Sequence, residues 1–70
     1  MEAWQERVVQ RHKELKERRE KLLAFLKNHE LVSKLSARHV SLLLEQEIAM
    51  FMYEDALADR IALFKEASNG

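Results

Sequence analysis

The absence of proline constrains this chain most, because proline is the residue that ends or kinks helices. The only glycine is the last of the 70 residues, so the chain also lacks the residue most often found in tight turns. Apolar residues make up 47% of the composition and charged residues 34%, which is typical of helices with one buried and one solvated face. The composition therefore predicts an all-α protein with a single domain spanning residues 1–70.

A seven-residue repeat of apolar side chains predicts the first long helix, over residues 3–27. The repeat runs through Val8, Leu15 and Leu22, which share one face because seven residues make almost two helical turns. We expect this helix to stop at Asn28, a residue that tolerates the left-handed conformation found just past helix ends.

A second repeat of the same length predicts another helix over residues 37–67, through Leu43, Met50, Leu57 and Phe64. Ser36 has the hydroxyl that caps the first turn of such a helix, and residues 28–36 are expected to form a short helical connector. Residues 68–70 have no apolar side chain to dock and are expected to fray. The predicted fold is two long antiparallel helices joined by this connector.

The small size of the chain predicts self-association. A domain of this length buries only about 60% of the surface that its unfolded chain exposes, which leaves a lone copy marginally stable. Cysteine is absent, so no disulfide can supplement the core. Association is the remaining general way to complete a small core, and we therefore expect a helical homo-oligomer.

Several classes of function find no support in the sequence. There is no glycine-rich phosphate loop, no cysteine, and no nucleophile, base and acid at an informative spacing, so an enzyme is not expected. The histidines lack partners in a metal-ligand pattern, and neither a metal site nor a cofactor is predicted.

A membrane span is not expected either. The longest apolar runs, residues 22–26 and 48–53, are far shorter than the ~20 residues that cross a bilayer. The first residues lack the features of a secretory signal, and without cysteine nothing points to an oxidising compartment, so a reducing cytosol is the expected location.

Charge is unevenly divided between the two predicted helices. Residues 1–28 contain eight Lys and Arg and five acids, a balance of +3, whereas residues 29–70 contain four bases and seven acids, a balance of −3. This asymmetry has two interpretations: it favours antiparallel packing of the helices, or it marks a site for an anion. DNA or RNA binding through the first helix is not expected, because acids interleave with its bases and the net charge is zero.

Interruptions of the apolar stripe identify candidate ligand-binding residues in the first helix. They occur at His12, with Arg11 beside it, and again at Arg19. One explanation is structural: long cationic side chains lay their stems on the core and extend their charges into water, as we expect for Arg18 and Arg19. The other is functional, because a histidine ring stacks on a nucleobase and a nearby cation binds phosphate.

His12 and Lys27 lie on similar faces of the first helix but cannot bind one compact ligand from the same chain. Fifteen residues separate them, which is about 22 Å along a helix. A shared anion therefore requires two copies laid antiparallel, so that Lys27 of one approaches His12 of the other. Such a two-fold cleft suits a ligand with two phosphates and two flat bases, and we expect a cyclic dinucleotide site that includes Arg11, His12 and Lys27.

A polar and aromatic line on the second helix is the other candidate feature. Tyr53 and Arg60 are seven residues apart and share one face. The alternative for Arg60 is a plain surface ion pair with one of three nearby acids, Glu54, Asp55 or Asp59. Glu45 and Glu47 point to different faces of the helix and are expected to be solvated surface.

The order of residues over both helices resembles that of a known family. The set is Glu14-Leu15, Lys21-Leu22 and Phe25-Leu26-Lys27, followed by Leu43-Leu44, Gln46, Met50, Tyr53, Leu57, Arg60-Ile61 and Phe64. Over residues 6–65 it is similar to the small phage proteins that sequester cyclic oligonucleotides, the anti-CBASS sponge family. The resemblance implies a hexamer without catalysis or cofactor, which binds bacterial antiphage messengers in the cytoplasm of the infected host.

The resemblance also implies roles for individual residues. The family places an aromatic residue and a lysine in cyclic dinucleotide pockets between protomers, and His12 and Lys27 stand at the corresponding positions here. His12 departs from the aromatic residue, although its ring can stack and can donate a hydrogen bond to phosphate. Arg60 corresponds to an arginine of the family's cyclic trinucleotide pocket. The alternative function is a structural or regulatory coiled-coil module that binds another protein's helix and no nucleotide.

Overall fold

The chain folds as a hairpin of two long helices, which confirms the predicted all-α class. A computed structural model describes the backbone of residues 1–69 and the side chains of residues 1–66. Its helices are α1 (Ala3–Leu26), α2 (His29–Val32) and α3 (Ala37–Asn69), with no strand in residues 1–69. The hairpin measures 52 × 16 × 14 Å, and its long dimension matches the ~50 Å expected of a 33-residue helix.

Asparagine and serine caps organise the turn between α1 and α3. α1 ends at Leu26, and Asn28 has a φ of −85° rather than the left-handed conformation expected of it. Asn28 is instead the N-cap of α2, where its side-chain oxygen accepts a hydrogen bond from the Leu31 N–H at 3.2 Å. The left-handed prediction is wrong because asparagine is equally suited to begin a helix. Ser36 caps α3 as predicted, since its hydroxyl accepts from the His39 N–H at 3.1 Å.

The C-terminal end of α3 corrects another expectation. The helix continues to Asn69, two residues past its predicted end at residue 67. Because no proline or glycine interrupts residues 37–69, nothing in this segment ends the helix earlier. Gly70 lies outside the described residues.

α1 and α3 pack antiparallel through one continuous seam. Most of the buried and half-buried side chains follow each other at alternating intervals of three and four residues, the spacing of a coiled coil. In α1 they are Gln5, Val8, His12, Leu15, Arg19, Leu22 and Leu26, and in α3 they are Val40, Leu43, Glu47, Met50, Glu54, Leu57, Ile61 and Phe64. At the end of the hairpin away from the turn, the rings of Trp4 and Phe64 meet edge to face with centroids 5.0 Å apart.

The hairpin has a very small core for its length. Among the described side chains only Val8 and Leu57 are buried, with 9% and 2% of their surface exposed. The accessible surface is 5551 Å², whereas a compact monomer of 8.3 kDa exposes about 4,600 Å². The excess of about 1,000 Å² is similar to what one partner contributes to a stable protein interface, about 800 Å². The protomer therefore exposes more surface than a finished single-chain fold.

Leu57→Ala is expected to destabilise the hairpin by about 2–5 kcal/mol, because it removes the most buried side chain and leaves a cavity. Leu63→Ala is the matched control, because it removes the same atoms from a side chain that is 61% exposed. The expected loss in the free energy of unfolding is at most about 1 kcal/mol. Urea unfolding followed by circular dichroism measures both free energies of unfolding. Equal losses in the two variants would contradict the burial of Leu57.

Candidate functional site

The seam between α1 and α3 contains a charged cluster at its centre. Arg19 lies between two carboxylates of α3: its Nε donates to Glu54 Oε2 at 2.6 Å, and its Nη1 donates to Glu47 Oε1 at 3.3 Å. The three side chains keep only 13–18% of their surface exposed. The Arg19 guanidinium also lies 5.1 Å from the centre of the Phe51 ring, a cation–π contact. These contacts give Arg19 a fixed place inside the seam.

The charged cluster overturns two expectations. Glu47 is not solvated surface, and Arg19 does not extend its charge into water. Both positions follow the three-and-four spacing of the seam, so each side chain is directed at the opposite helix. The spacing within one helix does not show that oppositely charged groups meet across the hairpin. Because Glu54 binds Arg19, it is also not the ion-pair partner of Arg60.

The ion pairs favour the ionised form of Glu54. Its hydrogen bond with Arg19 lowers the pKa of Glu54 below the ordinary 4.5, and the positive charges of Arg19, His12 and Lys16 act in the same direction. Partial burial opposes this effect without cancelling it. The pKa of Arg19 is raised, first of all by its hydrogen bond to Glu54, so its guanidinium stays charged at physiological pH.

A groove with cationic and aromatic walls opens on one side of the hairpin, and we call it the arginine groove. Its volume is about 230 Å³, and its lining residues are Trp4, Arg7, Val8 and Arg11 of α1 and Tyr53, Leu57 and Arg60 of α3. Val8 and Leu57 provide an apolar base, because they are the buried side chains of the seam. Arg11 Nη1 donates to the Tyr53 hydroxyl at 3.4 Å, which joins the two helices across the groove. That hydrogen bond is the main cause of a raised pKa at Arg11.

A second depression continues from the arginine groove along the same side. Its volume is about 310 Å³, and its lining residues are Arg11, Glu14, Leu15, Arg18 and Tyr53. Because Arg11 and Tyr53 line both surfaces, the two depressions are adjacent on the hairpin.

The arginines of these two depressions have no ion-pair partner among the described side chains. Among the side chains of residues 1–66, the only ion pairs are those of Arg19. Four other guanidinium groups line the two depressions without a carboxylate partner, those of Arg7, Arg11, Arg18 and Arg60. Glu14 is the only acid in either lining. Guanidinium groups present planar sets of donors that match phosphate oxygens, so this side of the hairpin is suited to a phosphate-bearing ligand.

The structure places the predicted site residues in different surroundings. Arg11 lines both surfaces and Arg60 lines the arginine groove, so these two arginines share one site although the sequence suggested separate pockets. His12 is half-buried in the seam next to Arg11. Lys27 is exposed at the C-cap of α1 and lines neither surface. Because α1 is helical without interruption up to Leu26, His12 and Lys27 do not approach each other within one chain.

The two depressions include three lining residues for which the sequence predicted no ligand: Trp4, Arg7 and Arg18. The available signal was the spacing of Arg7, Arg11 and Arg18, which fall on one helical face at intervals of four and seven residues. Like charges four residues apart destabilise a helix by about 0.2–0.5 kcal/mol, so such a stripe favours a counter-charge from outside the helix. Trp4 gave no comparable signal, because an aromatic residue in an apolar stripe is usually part of a core.

The side of α3 that points away from the arginine groove is apolar. We call it the outer face; its side chains are all exposed, and they are Leu44, Ile48, Phe51 and Met52. Ile48 and Tyr53 are five residues apart and therefore point about 140° from each other around the helix. A contiguous apolar surface of this kind is typical of an interaction site. No helix in the described part of the chain is both long enough and apolar enough to cross a membrane.

Comparison with known protein families gives a match over almost the whole chain. The family model described as Sequestin matches residues 2–63, which include all of α1 and α2 and most of α3. No curated protein and no solved structure matches this chain.

Acid is expected to destabilise the hairpin through Glu54. Because the pKa of Glu54 is lowered in the folded state, its stabilising contribution is complete above its ordinary pKa of 4.5 and is lost as the pH falls below that value. Urea unfolding at a series of pH values measures this loss, and Glu54→Gln is expected to make the dependence on pH shallower. Glu45→Gln is the control, because it makes the same change at an exposed position of α3. An unchanged pH dependence in Glu54→Gln would contradict the assignment.

Proposed function

Because this chain belongs to the Sequestin family, we propose that it is a non-catalytic sponge for cyclic nucleotides. Its ligands are cyclic dinucleotides, and at a second pocket cyclic trinucleotides, that bacteria make as antiphage messengers. A bound messenger does not reach the effector that it activates, so a phage that makes this protein avoids the response. The site of action is the cytoplasm of the infected host cell.

The observation that carries the proposal is the set of unpaired arginines around Arg11. These arginines offer donors to phosphate, and the ring of Tyr53 beside them offers a surface on which a base stacks. A cyclic dinucleotide carries both kinds of group. The family description, Sequestin, is in keeping with a protein that holds its ligand and does not convert it.

We assign the shared dinucleotide site to Arg11, His12 and Lys27, contributed by two copies of the chain. The His12 ring is half-buried, so the seam restrains its orientation while part of its surface remains available for stacking on a base. Lys27 is exposed and supplies a positive charge for phosphate. The ~22 Å of helix between the two residues is the reason that a second copy is required.

Assembly into a homo-oligomer, with six copies by resemblance to the sponge family, is part of the proposal. The exposed outer face supports contact between copies, because Ile48 and Met52 keep 56% and 66% of their surface in a single protomer. The excess accessible surface of the hairpin supports it as well.

The alternative is a structural or regulatory coiled-coil module, in which the outer face binds a helix of a different protein. The same exposed apolar side chains favour it. Two results together would select this alternative: one host protein recovered in stoichiometric amount, and no nucleotide released from the purified chain.

Isothermal titration with a panel of cyclic dinucleotides is expected to show binding by the folded protein. His12→Ala removes the stacking ring and Lys27→Ala removes a phosphate contact, and each is expected to weaken binding about 5- to 150-fold, the equivalent of about 1–3 kcal/mol. Lys13→Ala is the control, because it removes a charge from an exposed position next to His12. Absence of binding to every cyclic nucleotide by the folded oligomer would end the proposal.

Titration with cyclic trinucleotides tests the proposed second pocket separately from the dinucleotide site. Arg60→Ala is expected to weaken trinucleotide binding more than dinucleotide binding. Mass spectrometry of the ligand released by heat is expected to show it intact, because the protein holds it without reaction. Recovery of a cleaved ligand would contradict the non-catalytic assignment.

Ile48→Glu is expected to dissociate the oligomer, because it places a charge in the middle of the outer face. Ala49→Glu is the matched control: the same charge enters α3 one residue later, about 100° further around the helix. Size-exclusion chromatography with light scattering measures the mass of the particle. If Ile48→Glu keeps the wild-type oligomeric mass, the outer face is not the contact surface.

A further inference from the structure

We propose that the arginine groove is a nucleotide site complete within one protomer, which takes a single nucleoside monophosphate unit. This inference goes beyond the sequestration proposal, whose dinucleotide site is shared between copies. All residues that line the arginine groove belong to one chain, with α1 and α3 each supplying part of it.

The base of the arginine groove is the most buried part of the hairpin interior. Val8 and Leu57 are the buried side chains of the described chain, and both line the groove. On either side of this base, Arg11 is hydrogen-bonded to Tyr53 at 3.4 Å, and Trp4 packs against Phe64. The walls of the groove are therefore held in place before any ligand binds, which reduces the entropy lost on binding.

The charge of the arginine groove matches a phosphate. Arg7, Arg11 and Arg60 line a volume of only about 230 Å³, and no acid lines it. None of the three forms an ion pair with a side chain of residues 1–66. The hydrogen bond of Arg11 goes to the neutral hydroxyl of Tyr53, which leaves its other N–H groups available. Three like charges around one small space repel each other, and a bound phosphate dianion relieves that repulsion.

The aromatic residues of the arginine groove match a nucleobase. Trp4 is 46% exposed and Tyr53 is 44% exposed, although both line a concave surface with an apolar base. Stacking on an aromatic ring does not depend on the identity of the base, because every base has a π face. Cations and exposed rings together indicate a ligand with both a phosphate and a flat ring.

The volume of the groove sets the size of this ligand. Sites for drug-sized molecules span about 300–1,000 Å³, and the arginine groove, at about 230 Å³, lies below that range. It has room for one phosphate and one base, and a whole cyclic dinucleotide exceeds it. The predicted occupant is a mononucleotide, or one nucleotide unit of a larger ligand whose remainder lies outside the groove.

The fluorescence of Trp4 tests this proposal directly, because Trp4 is the only tryptophan in the chain. Titration with AMP and GMP, excited at the red edge of the indole band, is expected to give saturable quenching of the wild-type protein. Inorganic phosphate and adenosine are the two partial probes, and each is expected to bind at least about tenfold more weakly than AMP, since each lacks one of the two contacts. Equal effects of AMP and adenosine would show that no phosphate is bound and would overturn the proposal.

Arg7→Ala is the diagnostic variant, because Arg7 lines the arginine groove and is not one of the residues assigned to the shared dinucleotide site. It is expected to weaken AMP binding about tenfold or more, the loss typical of a hydrogen bond to a charged group. Arg38→Ala is the matched control at an exposed position near the turn, where no change in AMP binding is expected. Equal binding in the two variants overturns the proposal, and phosphorus NMR of AMP provides a second readout that does not depend on Trp4.

Dissociation of the oligomer by Ile48→Glu distinguishes the site within one protomer from the shared site. The dissociation constant for AMP is expected to be the same in Ile48→Glu and in the wild-type oligomer, and loss of AMP binding on dissociation would overturn the proposal. AMP binding without cyclic dinucleotide binding would support this site and refute the sequestration proposal. Cyclic dinucleotide binding without quenching by AMP or GMP would support the sequestration proposal and refute the site within one protomer.

Discussion

The contact of Arg19 with Glu47 and Glu54 determines how α1 and α3 lie against each other. The apolar repeat has the same length in both helices, so apolar packing alone also permits α3 to slide by seven residues. A slide of α3 by seven residues in either direction replaces one of the two carboxylates near Arg19 with an apolar residue, Val40 or Ile61. A partly buried guanidinium that loses a carboxylate is penalised more than an exposed one. The charged cluster therefore selects one register, and that register brings Arg11 to Tyr53 and Trp4 to Phe64.

The distribution of polar and apolar side chains in this hairpin differs from that of a compact monomeric protein. Charged side chains occupy the middle of the seam, whereas large apolar side chains of α3 remain exposed. Because only Val8 and Leu57 are buried among the described side chains, apolar burial within one chain contributes modestly to stability. The outer face supplies the surface on which further burial can occur, so assembly and folding are closely connected in a chain of this kind.

The parts of this structure that depend on residues close together in the chain were predictable from the sequence. The absence of proline and the seven-residue repeats led to two long helices, and Ser36 was identified as a cap from its side chain alone. The predicted left-handed conformation of Asn28 is wrong because asparagine occurs both at the start and just past the end of helices. Only the conformation of the following turn shows which of the two applies.

Contacts across the hairpin were the part that the sequence did not reveal. The sequence of α3 alone predicts Glu47 at the surface, because nothing in it indicates that Arg19 lies opposite on α1. Arg11 and Arg60 were likewise treated separately, and only the register of the two helices brings them into one groove. The position of Lys27 away from that groove follows from the length of α1, which the repeat did predict.

The arginine groove and the outer face point in different directions around α3, and this arrangement affects how much ligand a population of chains can hold. In the proposed oligomer, copies that join through the outer face leave their arginine grooves open to solvent, so the proposed capacity for ligand rises in proportion to the number of chains synthesised. Under the proposed function, a protein without turnover acts as a titrant, and its copy number must keep pace with the amount of messenger. At 8.3 kDa per chain, the proposed sequestration requires little protein mass for each molecule bound.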